Sequence, residues 1–444
     1  MIRNTKSSRK KDSSAISRLL SIGKLGLDVA KSEAGFHLKK ALERNQQLQK
    51  LNTQIAQIQM ITKTLGEMKG AVMKIGQMLS LYDIPGLPPE VREILSQLQK
   101  QAPPLPFEDM KQVIQEDMPN FFDHVQFDSN VPIAAASIGQ VYKGRYKGKD
   151  VAVKVQIPGI EKMIKSDLKN LNILTKLFSP WISQKEMNTI LKEIKDHLLI
   201  ECDYLQEAKN QRCFQKLYGN HPHIIFPSSY EELSSKHILT MGFLEGDDIK
   251  DFLKTNPSKN RCNEIVQIFF EFYMDQIFNQ CVLHADPQFG NYLFQDRKIG
   301  IVDFGCVKYF DKSFIQNLIV FLNACVNHDL QAIHDGYRAL GLATVRNDSK
   351  WYDTLDEFIN IAEITYKQER YQYGEYHVIH KIFQALPRLL TQRNLHHPPD
   401  FLLLERTVAG LYFLAEKLQA NVSLKDLMAK YILESDKAQC GYSS

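Results

Sequence analysis

Asp286, Asn291 and Asp303 are the residues of this chain whose types and spacing best suit a defined chemistry. Asp286 ends His284-Ala285-Asp286, Asn291 follows it in the same loop, and Asp303 opens Asp303-Phe304-Gly305 after a short apolar strand. Transfer of a γ-phosphoryl group needs one carboxylate near the acceptor, then an amide oxygen and a second carboxylate to hold magnesium against the phosphates. The order and spacing of these three residues meet that need. Far upstream, Val151-Ala152-Val153-Lys154 closes a β-branched strand with a lysine. Its ammonium can bridge the α and β phosphates if a carboxylate on a nearby helix fixes it, and Glu207 is the candidate. Together these runs predict a site for ATP and Mg2+, with Lys154, Glu207 and Asp286 catalytic and Asn291 and Asp303 on the metal.

Glu207 lies in Glu201-Cys202-Asp203-Tyr204-Leu205-Gln206-Glu207. On one continuous helix Asp203 and Glu207 share a face while Glu201 points elsewhere, so the helix would serve two sites. The segment expected over the phosphates holds Ala134, Ala135, Ala136 and Ser137, alanine-rich where glycine would let the backbone approach phosphate oxygens. Nucleotide binding in an altered pose follows, and Ala135→Gly or Ala136→Gly should change nucleotide affinity. His284 is expected to brace its loop by hydrogen bonding rather than act as a base. His221, His223, His396 and His397 are expected at the surface.

Three regions must position these groups. Residues 1–125 read as an all-helical extension, with Leu51, Ile55, Ile58, Ile61 and Leu65 recurring at helical steps and prolines punctuating the segments. Residues 126–245 carry strand signals, including Gln140–Lys143 and Val151–Val155 about a Lys147–Asp150 turn, a hairpin pattern. A long helix over about 185–217 and a strand near His237–Met241 follow. Residues 246–444 are mainly helical, and Glu245-Gly246 suits a hinge. The predicted class is α+β.

Composition narrows the function. A chain of 444 residues, 44% apolar, can bury two or three sizeable cores. A net charge of +4, with no basic stripe interleaved with aromatics, argues against nucleic acid as a partner. The 7 cysteines are scattered without C-x-x-C spacing, so no disulfide framework or zinc site is expected and a reducing compartment fits. No run approaches the roughly 20 apolar residues of a membrane span, which predicts a soluble or peripheral protein. The N-terminal stretch, with Arg3, Lys6, Arg9, Lys10 and Lys11 before an amphipathic pattern, suits an anionic membrane, an organelle transit peptide or a plain basic tail.

Taken with the alanine-rich loop, Val-Ala-Val-Lys, Glu-Cys-Asp-Tyr and the Asp286–Asp303 constellation, Lys74-Ile75-Gly76-Gln77 completes a set of motifs in one order. By these the chain resembles the UbiB family of atypical kinases over roughly Leu65 to Leu340, and most closely its coenzyme Q branch. The resemblance implies a two-lobed protein-kinase-like fold with a helical N-terminal extension. It further implies that Lys74 and Gln77 lie over the pocket where a protein kinase holds its peptide, contacting Glu201 and Asp203 as a regulatory set, while Glu207 pairs with Lys154. ATP binding, ATPase activity and support of ubiquinone biosynthesis at a membrane are implied too. The chain departs from many bacterial members in having Gln288 and Phe289 after the catalytic aspartate, and no Ala-Pro-Glu follows Asp303-Phe304-Gly305.

The favoured expectation is an ATPase or atypical kinase acting on a membrane-bound isoprenoid quinone precursor, with anionic lipid and ubiquinone-biosynthesis proteins as partners. It would sit in the cytoplasm, peripheral to a membrane, or in the mitochondrial matrix of a eukaryote. Two alternatives stand beside it: a small-molecule phosphotransferase of the aminoglycoside or choline kinase sort, and a nucleotide-binding scaffold without turnover.

Overall fold

The computed structural model describes residues 104–135, 138–166, 183–341, 349–375, 378, 381–382 and 399–433. They fall into two compact units. The first holds the described residues up to Leu205 together with Tyr230–Thr240; the second holds Gln206–Ser229 and those from Met241 on.

The first unit is built on a twisted antiparallel hairpin. Strands β1 (Val125–Phe127), β2 (Ala134–Ala135), β3 (Gly139–Tyr146), β4 (Lys149–Gln156) and β5 (Ile238–Gly242, which starts here) form one sheet in the order β1-β3-β4-β5, with β2 on β3. Lys147 and Gly148 both take positive φ, 48° and 75°, which is the backbone of a two-residue turn that matches strand twist. The alternating apolar residues Val151, Val153 and Val155 of β4 turn one face inward, where helix α1 (Phe107–Asp117) lays Met110 and Ile114 on them. Phe107, Phe127 and Tyr142 close the layer with edge-on ring contacts.

Helix α2 (Gln184–Glu201) does not run on to Leu217. It ends at Glu201, and a new helix, α3 (Tyr204–Tyr218), starts after Cys202 and Asp203. The expected shared face of Asp203 and Glu207 is therefore corrected: Asp203 stands just outside α3 and its carboxylate accepts the Leu205 N–H at 3.1 Å. The break has a tertiary cause. Buried Gln156 donates from Nε2 to the carbonyls of Cys202 (2.8 Å) and Lys236 (3.1 Å), and the Tyr204 N–H is given to the Lys236 carbonyl at 3.0 Å. Bonds across the unit thus replace the helical ones.

The second unit is mostly helical. Helix α4 (Lys259–Phe278), capped by Ser258, runs through its core and buries Ile265, Phe269, Phe272 and Tyr273. Two small sheets carry the loops that matter. Strand β6 (Val282–His284) pairs antiparallel with β9 (Val307–Tyr309), placing His284 opposite Val307. Strands β7 (Tyr292–Phe294) and β8 (Ile299–Ile301) form a hairpin, and Ile224–Ile225 adds parallel to β8. Helices α5 (Lys312–Val326), α6 (Leu330–Ala339) and α7 (Pro399–Lys417) pack apolar faces on the same core. Cys281 is disulfide-bonded, against the expectation of a chain without disulfides, whereas Cys202, Cys213, Cys262, Cys306 and Cys325 form no disulfide.

Candidate functional site

In the first unit, Lys154 sits on β4 opposite Val141 of β3, only 6% exposed. Its ammonium lies 5.0 Å from the ring centroid of buried Tyr204, a cation–π contact that steadies the charge in a nearly dry setting. Gly139 makes room for that ring: a Cβ there would come within 2.5 Å of both the Tyr204 hydroxyl and the Val155 carbonyl. Ala134 and Ala135 form β2, in register with Val141 and Gln140, so their backbone is extended rather than turned as in a glycine-rich loop. Ala136 and Ser137 lie outside the described residues, as do Lys74, Gln77, His396 and His397. Glu201 is half-buried at the end of α2, and Asp203 is an exposed cap.

In the second unit, one loop between β6 and β7 carries both Asp286 and Asn291. Asn291 Nδ2 donates to Asp286 Oδ2 at 2.7 Å and to the Asp286 carbonyl at 3.1 Å, tying the loop's ends together. Burial pushes the Asp286 carboxyl above its ordinary range, against the pull of the Arg406 guanidinium, and the nearby Asp303 pushes it further up. Asp303 lies at the end of β8, where its Oδ1 accepts the Gly305 N–H at 2.9 Å. The two aspartates are linked through His284, which is wholly buried: its Nε2 donates to the Asp303 carbonyl at 2.6 Å and its main-chain N–H to Gln276 at 2.8 Å. His284 therefore braces the loop. Tyr273, bonded to Tyr292 at 2.7 Å, is 3.3 Å from the His284 Nδ1.

Glu207 on α3 is 3% exposed, and its Oε1 accepts the Phe304 N–H at 3.4 Å. The helix thus delivers a carboxylate to the Asp303-Phe304-Gly305 turn. Asn291 and Asp303 offer hard oxygen donors of the kind magnesium takes, and magnesium completes its shell with water and phosphate oxygens rather than an all-protein cage. Among the described residues no group of three or more His, Cys, Asp or Glu gathers to hold a metal.

Two contributors escaped the sequence reading. Arg406 of α7 donates to the Ala285 carbonyl (3.0 Å) and to Asp286 Oδ1 (3.3 Å). Gly410, one turn on, presses the helix against Pro287. A glycine in the middle of a helical pattern was the available signal, because it costs about 1 kcal/mol relative to alanine without a packing reason. His221, expected at the surface, is half-buried and accepts the N–H groups of His223 (3.2 Å) and Ile224 (3.0 Å); burial holds its imidazole below the usual range.

The ABC1 atypical kinase-like domain matches residues 97–336, more than half of the chain. The chain belongs to this family. Its relatives place it among the UbiB-type, kinase-like proteins. It is 30% identical over 387 residues to the probable serine/threonine-protein kinase abkA of Dictyostelium discoideum, covering 82% of this chain and 68% of the relative. The mitochondrial atypical kinase COQ8B of Rattus norvegicus is 28% identical over 427 residues, 94% of this chain and 80% of the relative. The mitochondrial atypical kinase COQ8 of Saccharomyces cerevisiae is 27% identical over 417 residues, 92% and 83% of the two chains. A solved structure, Rv3197 of Mycobacterium tuberculosis in complex with erythromycin, aligns over 90% of this chain and 100% of that one, with a TM-score of 0.59 at 24% identity. That likeness concerns the fold alone, and the fold is α+β and kinase-like.

Proposed function

We propose that this member of the UbiB family binds Mg-ATP and acts as an atypical kinase or ATPase supporting ubiquinone biosynthesis, on membrane-bound isoprenoid quinone precursors or on the proteins that handle them. The observation that carries the reading is the loop in which Asn291 fastens to Asp286 while His284 ties the same segment to Asp303. Such bracing suits groups that must hold phosphate, metal and acceptor without rearranging.

In this reading Lys154 takes the α and β phosphates and Glu207 fixes it. Asn291 and Asp303 would hold Mg2+, which would supply positive charge to offset that of the phosphates. Asp286 orients the acceptor hydroxyl or water and receives its proton, and the carboxyl pushed upward by burial is suited to that task. Ala134, Ala135, Ala136 and Ser137 line the phosphates, and Lys74, Gln77, Glu201 and Asp203 act as the regulatory set that excludes peptides. The names of the rat and yeast relatives favour a mitochondrial setting. None of the described helices is long and apolar enough to cross a membrane, and membrane contact is assigned to a peripheral surface bearing anionic lipid.

The test is phosphate release from ATP with Mg2+, with and without anionic liposomes carrying a quinone-like phenol, for the parent and Asp303→Asn. Lipid-stimulated turnover that the variant loses supports the reading. Absence of turnover despite Mg-dependent thermal stabilisation by ATP points to a scaffold, and transfer to a soluble alcohol to a small-molecule phosphotransferase.

A further inference from the structure

Asn210, one turn beyond Glu207 on α3, completes a pincer on a single residue of the metal-binding turn. Glu207 Oε1 accepts the Phe304 N–H, and Asn210 Nδ2 donates to the Phe304 carbonyl at 2.9 Å. Both main-chain polar groups of Phe304 are thereby held by one helix. Asn210 is itself aimed by two donors to its Oδ1, Gln206 Nε2 at 3.0 Å and the Tyr309 hydroxyl at 3.1 Å. On either side the turn is held again, by His284 on the Asp303 carbonyl and by Asp303 Oδ1 on the Gly305 N–H. The Phe304 ring is buried against Phe214, Phe226 and His284.

In kinases the packing of this phenylalanine separates active from inactive arrangements, and moving it requires the backbone at that position to turn over. Here a turn-over must break a buried amide–carbonyl bond from a rigid helix as well as the carboxylate contact. We propose that Asn210 is a positioning residue, a latch that keeps Asp303-Phe304-Gly305 in one arrangement so that the metal-binding carboxylate is preset and the turn does not serve as a switch. The metal role of Asp303 rests on the function proposed above; the latch itself does not. Two consequences follow for ligands. The parent takes Mg-nucleotide without a loop rearrangement, and it refuses ATP-site compounds that need the phenylalanine displaced.

The test is amide hydrogen exchange of the segment Val302–Cys306 in nucleotide-free protein, for the parent, Asn210→Ala and Tyr309→Phe. Loss of one buried hydrogen bond should speed exchange of this segment roughly 10- to 100-fold in Asn210→Ala, while α4 keeps parental rates. Tyr309→Phe, which removes one aiming donor to Asn210 together with the hydroxyl's bond to Cys213, should give a smaller acceleration in the same segment and keeps the test alive if the alanine variant does not fold. In parallel, the Mg2+ concentration needed for half-maximal thermal stabilisation by ADP should rise in Asn210→Ala, with the metal-free ADP shift unchanged. Parental exchange in Val302–Cys306, or the same acceleration throughout the protein, overturns the latch. Faster exchange of the segment with no stabilisation of the parent by Mg-nucleotide upholds the latch and refutes the Mg-ATP reading instead.

Discussion

Gly410→Ala should slow the proposed phosphate release and fail to stabilise the protein, although alanine is the better helix former. A Cβ at this position would lie 2.3 Å from Pro287 Cγ and 2.7 Å from its Cβ. Ordinary carbon–carbon contact begins near 3.5 Å, so about 1 Å must be found by moving either α7 or the loop. The proline ring has no rotamer into which it can swing. Its neighbour Asp286 is fastened to Asn291 and Arg406, so the strain is passed to the groups that would do the chemistry. Helix propensity favours the alanine by about 1 kcal/mol. Overpacking against the ring costs about 1–3 kcal/mol, for a net change of roughly 0–2 kcal/mol in the destabilising direction. A displacement of about 1 Å at a reacting group can lower kcat on the order of 100-fold. Denaturant unfolding and the initial rate of phosphate release would read the two effects. A variant more stable than the parent, with unchanged kcat, would refute the packing argument.

Burial pushes the Glu405 carboxyl from its ordinary 4.5 up to about 7. The unfolded chain ionises this group near the ordinary value while the folded protein keeps it neutral, so the parent loses stability as pH climbs between the two and holds that loss above about 7. Glu405→Gln should therefore gain nothing below pH 4.5 and at most about 3 kcal/mol at pH 8; a pH-independent difference in unfolding free energy counts against this. Arg406→Met should cost about 1 kcal/mol of stability, since the pair is partly exposed, and should lower kcat more than it raises KM for ATP; an unchanged kcat would remove Arg406 from the loop's support. Gly139→Ala should cost about 1–3 kcal/mol, because the Val155 carbonyl cannot move aside as a side chain can. It should also weaken nucleotide binding through Tyr204 and Lys154. Wild-type denaturation and wild-type affinity together would contradict the close packing assigned to Gly139.

The parts legible in the sequence are those whose physics is local. The β3–β4 hairpin shows in its alternating valines and its Lys147-Gly148 turn, and the Asp286–Asn291 loop shows in its spacing, because the bond from Asn291 to Asp286 spans only that loop. The break between α2 and α3 does not show. Apolar periodicity through Leu198 and Ile200 carries on with no proline or glycine, and what ends the helix is Gln156, 46 residues upstream, taking the Cys202 carbonyl. A residue that caps a helix from such a distance leaves no mark in a window of ordinary helical length.

The same reasoning separates the motif from its support. Asp286, Asn291 and Asp303 all lie within the stretch matched by the ABC1 domain, residues 97–336, whereas Arg406 and Gly410 lie beyond it on α7. The Asp286–Asn291 loop is short, and its main-chain bonds alone do not set where the Asp286 carboxylate sits. An arginine 120 residues away supplies a charge on one side, and a glycine lets the helix come close enough for that arginine to reach. The matched domain thus lacks both the arginine that holds Asp286 and the glycine that lets its helix approach. Truncation after the matched domain should remove the brace on Asp286 even if Asn291, His284 and Asp303 keep their mutual bonds, and Arg406→Met within the full chain isolates that effect from the loss of α7's apolar packing.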